Sequence, residues 1–474
     1  MASTSSVSSG GGLDVQGLVS QLMTLERQPI DKLNTQVSSY QTKISSFGTI
    51  SGLVSTLQTS LQGLSNNFQG FTATASDTGV FSASASSTAA AGSYTLDVAN
   101  LARSQSLVAA GQASSTIAIS DGTPTTITFD FGTISGGTLA SGIYSGASFA
   151  SNGNGTKTVT IDGTNNTLQG IRDAINTAKI GVSATIVNDG SGTPYRLALS
   201  SEKSGLSNSL KITTSGGDGS LDSLLANDPA GIQHLNQTTA AQNANLTVNG
   251  IAITSATNTV TDAVQGVTLT LTKPTTTQAN LSVARDTAAV KTAVTGFVDS
   301  YNALVSQLKS RSAYGSSSTD PNKPSLSGDG TIRVMLDQLH GVFNVGASGG
   351  TLTTLADVGI TTKADGTLKL DSSKLNTAMT NNFSDVTNLF NGATGFGTRL
   401  KARAESTLAP GGIIESRTQS LNTSITGYNN QISKLEVRMK TLQKQYTKTY
   451  SDLNVLLSSM SSTSSYLTQQ LARM

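Results

Sequence analysis

The sequence predicts an α+β multidomain chain: terminal antiparallel coiled-coil helices and a helical bundle carrying two inserted mainly-β domains. Three observations predict it. Both ends carry apolar residues at steps of three and four. The middle alternates apolar and polar residues in period two. Helical spacing returns after residue 285.

The first dozen residues, MASTSSVSSGGG, are Ser/Gly-rich and predict no stable structure. Asp14 then reads as an N-cap, and Leu18, Leu22 and Leu25 begin an apolar seam. Pro29 is expected to interrupt it. From Leu33 the stripe resumes through Val37, Tyr40, Ile44, Phe47, Ile50, Val54, Leu57, Leu61, Leu64 and Phe68. Between Ile44 and Ile50 two three-residue steps follow each other beside Gly48. That break in heptad phase reads as the border between a coiled coil and a compact bundle.

From about residue 71 to 283 the chain reads as short strands: FTATAS, SYTLDVA, TITFDF, KTVTID, VSATIV, YRLALS, NLTVNG, VTLTLT and ANLSVA. Gly, Asn, Asp and Ser clusters separate them. One helix interrupts, in TLQGIRDAINTA, with Leu168, Ile171 and Ile175 on one face. The Gly/Ser/Thr tracts near 111–157 predict long loops or a mobile outer module.

After residue 285, Val290, Val294, Phe297, Tyr301, Leu304 and Leu308 form a helical stripe. Another lies in TIRVMLDQLHGVF. Asp365-Gly366 is a hairpin signal, and Asp371 reads as the cap of a helix carrying Leu375, Met379 and Phe383. Pro410-Gly411-Gly412 ends one helix and opens onto the last.

That last helix carries Leu421, Ile425, Tyr428, Ile432, Leu435, Met439, Leu442, Tyr446, Leu453, Leu456, Met460 and Leu467, with Thr449 and Thr463 filling two vacancies. The seam holds for about six heptads and makes a rod of roughly 65 Å. So narrow a stripe cannot be buried by its own helix. The economical partner is the other end of the chain, paired antiparallel, with everything between inserted as a loop.

Composition narrows the function classes. Length alone permits several domains, and charged residues are only 12% of 474, with Ser, Thr, Asn and Gly in their place. A net charge of +2 gives no strong attraction to nucleic acid or anionic membrane, and the lack of Trp argues against aromatic cages. With no Cys, disulfides and thiol-ligated metals are excluded. That lack fits chance as well as a chain kept free of cross-links for unfolded export. The N-terminus has no apolar h-region, and no apolar run reaches membrane-spanning length. The chain is therefore cytoplasmic or exported without a cleaved apolar signal.

A search for chemistry finds little. His340 sits at a helix edge and His234 in a loop, and neither has a carboxylate cluster beside it in sequence. Gly346-Ala347-Ser348-Gly349-Gly350 matches a nucleophile elbow in letters only. Its context is a loop, and both histidines precede it. Asp365-Gly366 lacks the other positions of a calcium loop. The basic run Lys434, Arg438, Lys440, Lys444, Lys448 reads as a solvated flank, with Glu436 and Lys440 as an i,i+4 pair. No enzyme activity, cofactor or metal is expected.

Several blocks resemble one family, the flagellar filament cap proteins, also called hook-associated protein 2. SSGGGLDVQGLVSQLMTLERQPIDKL looks like the family's start, and GSYTLDVANLARSQSLVA like its first β segment. NLTVNGIAITSATNTVTDAVQGVTLTL, with DVGITTKADGTLKLDSSKLNTAM and FSDVTNLF, is similar to its C-terminal region. TLQGIRDAINTAKIGVSATIVNDGSGTPYRLALSS resembles a motif shared by flagellin and hook-family proteins.

The resemblance implies a terminal coiled-coil leg (1–43 plus 417–474), a helical bundle (44–76 plus 284–416), an inner β domain (77–105 plus 242–283) and an outer β domain (106–241). Leu33, Val37, Tyr40, Ile425, Tyr428, Ile432, Leu435, Met439, Leu442 and Tyr446 would join the leg. Leu453, Leu456, Met460 and Leu467 would bind a cytoplasmic export chaperone. The implied job is a ring at the growing filament tip that helps exported flagellin fold and insert. Implied partners are further copies in a small closed ring (a pentamer or hexamer), flagellin, and hook-filament junction proteins. No nucleic acid and no membrane insertion is implied. The implied place is the distal tip of an extracellular flagellum, reached by the flagellar type III route. Two alternatives remain at this point: a filament or junction subunit, and an adhesin whose β modules bind mucin or glycan.

Overall fold

The computed structural model describes residues 13–313 and 324–473. A helix α1 (Val15–Asn67) comes first. Then come β1 (Phe71–Ala75), β2 (Phe81–Ala85), β3 (Gly92–Asn100), β4 (Ser106–Val108), β5 (Thr125–Ala140), β6 (Ile143–Ser151) and β7 (Lys157–Ile161). Helix α2 (Leu168–Ala178) leads to β8 (Val182–Asn188), β9 (Tyr195–Ser201) and β10 (Ser209–Gly216). Helix α3 (Ser220–Leu225) precedes β11 (Asn236–Thr239), β12 (Ala244–Val248), β13 (Ile251–Ser255), β14 (Thr259–Val264), β15 (Val267–Leu271) and β16 (Ala279–Arg285). The chain ends with α4 (Thr287–Ser312), α5 (Gly330–Gly341), β17 (Ile360–Thr362), β18 (Leu368–Leu370), α6 (Ser372–Asn391), α7 (Phe396–Leu408) and α8 (Ile413–Leu471). The α+β class read from the sequence is the observed one.

Two compact units result, Met1–Phe68 with Thr287–Met474, and Gln69–Asp286. In the first, Asp14 caps α1 by accepting the Gly17 amide at 2.9 Å. The expected interruption at Pro29 does not occur, and α1 runs unbroken for 53 residues. Proline removes the bond to the carbonyl four residues back, that of Leu25. Leu25 and Pro29 both lie on the exposed side, where water can satisfy that carbonyl. The helix also continues through Gly48, which faces open space.

Beyond Tyr40 the burial of α1 deepens. Phe47, Ile50, Val54, Leu57, Leu61 and Leu64 enter one core with α4 to α7 and the start of α8. Each such side chain contributes about 1.5–3 kcal/mol. Phe390 joins the helices, 5.6 Å from the Phe68 ring and 6.3 Å from Phe297. Asp329 caps α5, and both Arg417 Nε and Nη2 donate to its Oδ2, at 3.0 and 2.9 Å. Burial alone would raise this carboxyl. Hydrogen bonds from Thr331 and Arg417 outweigh it and hold it below the usual range.

The bundle limits expected at residues 76 and 284 are displaced. Helix α1 ends at Asn67, and β1 pairs antiparallel with β16 from Phe71↔Arg285 to Ala75↔Leu281. FTATA alternates in period two, which suits a sheet and not a helical core.

The second unit has two cores. One lies between the sheet β1-β16-β3-β12-β13 and the sheet β14-β15-β2, around Phe81, Leu96, Val98, Leu246, Leu269 and Leu281. The other gathers β4 to β11 with α2 and α3 around Leu107, Phe129, Ile171, Leu199 and Ile212. Asn176 fixes α2 to β8 by a paired bond with the Ala184 backbone, 2.8 Å each way. The tract 111–157 is not a long loop. It holds the hairpin β5–β6, paired from Gly132↔Ser151 to Ala140↔Ile143 and closed through Ser141 and Gly142 at positive φ.

Candidate functional site

The terminal helices α1 and α8 lie antiparallel, and three contacts fix their register. The Tyr40 and Tyr428 rings sit 5.6 Å apart. Tyr446 Oη donates to Glu26 Oε1 at 3.4 Å. The Leu13 amide donates to Asn454 Oδ1 at 2.7 Å. Between these points Leu33, Val37, Ile432, Leu435, Leu442 and Tyr446 are half-buried and Met439 is buried, and before Tyr428 on α8 Ile425 is half-buried and Leu421 joins the bundle core. Of the ten residues assigned to the leg, Met439 is buried and the other nine are half-buried, and Tyr40, Tyr428 and Tyr446 make the contacts named above.

The structure corrects the seam at Leu25 and Thr449, and the charged flank beside it. Leu25 is exposed, while Val19 and Ile30 are buried in its stead. Thr449 is also exposed. Tyr450 and Asn454 follow Tyr446 inward at steps of four. A nearly straight helix turns every 3.6 residues, so the seam drifts off a strict heptad toward i+4. The sequence held that signal: 442, 446, 450, 454 is an unbroken series of fours. Finally, Glu436 and Lys440 form no ion pair among the described residues. The pair on this flank is Lys448–Asp452, at 3.0 Å and largely exposed.

Among the described residues pairing ends at Asn454, opposite Leu13. Beyond it α8 continues for seventeen residues to Leu471 with nothing packed on it among the described residues. Leu453, Leu456, Met460 and Leu467 are all exposed, and so are Val455, Tyr466 and Leu471. Thr463, expected in the seam, is exposed with them. Leu456 and Leu467 are more than half accessible, at 57% and 55%. The end of α8 thus carries an exposed apolar stripe at helical spacing.

Electrostatics along the leg are those of a packing surface. The Tyr428 phenol is raised by its hydrogen bond and interaction with Tyr40. The Tyr446 phenol is raised chiefly by the charge of Glu26. His234 is exposed, and the Ser348 hydroxyl pairs with Thr394 Oγ1 at 2.8 Å. Among the described residues no group of three or more acidic or His side chains could hold a metal, and no helix is long and apolar enough to cross a membrane.

Comparisons with known proteins agree along the whole chain. The family model described as flagellar hook-associated protein 2 N-terminus matches residues 11–105, and its C-terminus counterpart matches 241–462. The flagellin hook IN motif matches 149–203. The chain is 34% identical to flagellar hook-associated protein 2 of Escherichia coli K12, over 99% of this chain and 98% of that one. It is 31% identical to the B-type protein of Pseudomonas aeruginosa, over 98% and 96%. The crystal structure of the flagellar cap protein FliD D1-D2-D3 domains from Escherichia coli superposes with a TM-score of 0.66 at 34% identity. It covers 80% of this chain and 99% of that one.

Proposed function

The chain belongs to the flagellar hook-associated protein 2 family, and we propose that it caps the bacterial flagellar filament. The observation that carries this is the end-to-end relationship to a flagellar cap protein, in sequence and in D1-D2-D3 architecture. A filament or junction subunit is disfavoured by the match of the family's C-terminal model over 241–462.

In this reading the protein forms a small closed ring, a pentamer or hexamer, at the distal tip. It promotes folding and insertion of flagellin that arrives unfolded. The leg is residues 1–43 with 417–474, and it engages the subunits below. A half-buried seam supports that role, because shallow packing is replaceable as each subunit enters. The chain is exported through the flagellar type III channel. A cytoplasmic chaperone covers Leu453, Leu456, Met460 and Leu467 beforehand, since that stripe is an aggregation hazard in the cytoplasm.

The test is a deletion strain of the encoding bacterium. Without the protein, flagellin should accumulate in the medium as monomer and filaments should be missing. Re-expression should restore both. Normal filaments in the deletion strain would refute the reading.

A further inference from the structure

The connection between β6 and β7 reads Asn152-Gly153-Asn154-Gly155-Thr156. In an Asn-Gly pair the glycine amide nitrogen can reach the Asn side-chain carbonyl carbon, because glycine has no side chain to block the approach. The chain has four such pairs, at Asn152, Asn154, Asn249 and Asn391.

Hydrogen bonds hold the reacting groups in three of them. Asn249 Oδ1 accepts the Thr95 amide at 2.8 Å. Asn391 Nδ2 donates to the Ser65 carbonyl at 3.2 Å, and the Gly392 amide donates to the Asn388 carbonyl at 2.9 Å. Asn152 Nδ2 donates to the Ser207 carbonyl and its Oδ1 accepts the Asn154 amide, both at 3.0 Å. The Gly153 amide donates to Ser151 Oγ at 3.4 Å. Asn154 differs. Its side chain and the Gly155 amide have no hydrogen-bond partner among the described residues, and both residues are exposed. Gly155, at φ 79°, has nothing within 4 Å of where a side chain would stand.

Asn154 also lines a cavity of about 140 Å³ together with Lys157 and Lys203. Neither lysine forms an ion pair among the described residues, and no acidic residue lines the cavity.

We propose that Asn154 is a site of self-modification, in which the Gly155 amide nitrogen attacks the side chain and turns its amide into a carboxylate in the cavity shared with Lys157 and Lys203. The Gly155 nitrogen gives up its proton and bonds to Asn154 Cγ. The Cγ–Nδ2 bond breaks, and ammonia leaves with that proton. Water then opens the cyclic imide at either carbonyl, leaving Asp or its β-linked isomer. Negative charge builds on the nitrogen and then on Oδ1 as the ring closes, and cations nearby stabilise it. The two lysines therefore assist closure, and the finished carboxylate meets cations with no other anion. The added backbone atom of the isomer disturbs no sheet, because residues 152–156 belong to no strand.

The full chain, incubated in mildly alkaline buffer, is digested and mapped by mass spectrometry, with an isoaspartyl methyltransferase assay for the isomer. In the native chain Asn154 should convert about tenfold faster or more than Asn152, Asn249 and Asn391, since reacting groups held out of line lose at least that much. In urea the four positions should converge, because each is an Asn followed by a Gly. Lys157→Gln with Lys203→Gln should slow conversion of Asn154 several-fold in the native chain, with circular dichroism unchanged. Equal native rates at the four positions, or no product at Asn154 while the unfolded chain converts, would overturn the site. An undiminished rate in the double lysine variant would overturn the assistance by the lysines alone.

Discussion

The Leu13 amide and the Asn454 side chain meet at 2.7 Å, and among the described residues the pairing of the terminal helices ends at that bond. Below it the seam is covered. Beyond it the same helix exposes Leu456, Met460 and Leu467. Asn454→Ala leaves the Leu13 amide without its partner. A half-buried bond of this kind is worth about 0.5–1.5 kcal/mol. Hydrogen exchange should show the first two turns of α1 opening faster, with the bundle core unchanged.

The exposed stripe should be separable from the leg. Truncation after residue 452, or joint replacement of Leu453, Leu456, Met460 and Leu467 by Ser, should abolish chaperone binding. The Tyr40–Tyr428 contact should survive, because it lies on the covered part of the seam. Retained binding in pull-down or calorimetry would refute that placement.

Asp329 should be a stability determinant. Its carboxylate caps α5 and takes both bonds from Arg417, which remains partly solvated. Asp329→Ala should cost about 1–3 kcal/mol, read as a lower urea midpoint. The carboxyl lies below its unfolded value, so its stabilisation is full above about pH 4 and lost as pH falls through the folded value. The variant should therefore show a flatter loss of stability in acid than the parent.

The leg should weaken in alkali. The Tyr428 and Tyr446 phenols are raised, the first by Tyr40 and the second by Glu26. A raised group stabilises fully below its unfolded value, about 10 for Tyr, and that stabilisation fades as pH climbs through the folded value. Tyr428→Phe with Tyr446→Phe should flatten the alkaline loss of leg helicity.

The helical parts were legible because their burial has a period. Asp14, Asp365-Gly366 and Asp371 take the cap and turn positions their chemistry predicts. The core of the second unit was legible for the same reason, as in Leu168, Ile171 and Ile175 on the buried face of α2. The outer part of β5–β6 was not. From Ser135 to Ser151 both faces lie near solvent, so no alternation selects an inner side, and Gly136, Gly137 and Gly146 take positive φ within it. Pro29 misled because what matters is which carbonyl it frees, and Leu25 faces water. Thr449 misled because a strict heptad was projected onto a helix that keeps its own pitch.

The most direct test of a capping role is the assembly state of the purified full-length chain, by negative-stain microscopy with sedimentation over a concentration series. A cap closes its heterologous interface into a ring, whereas a filament subunit leaves it open. The account predicts rings, single or paired, of fixed mass that stop growing with concentration. Filaments that lengthen with concentration would contradict it.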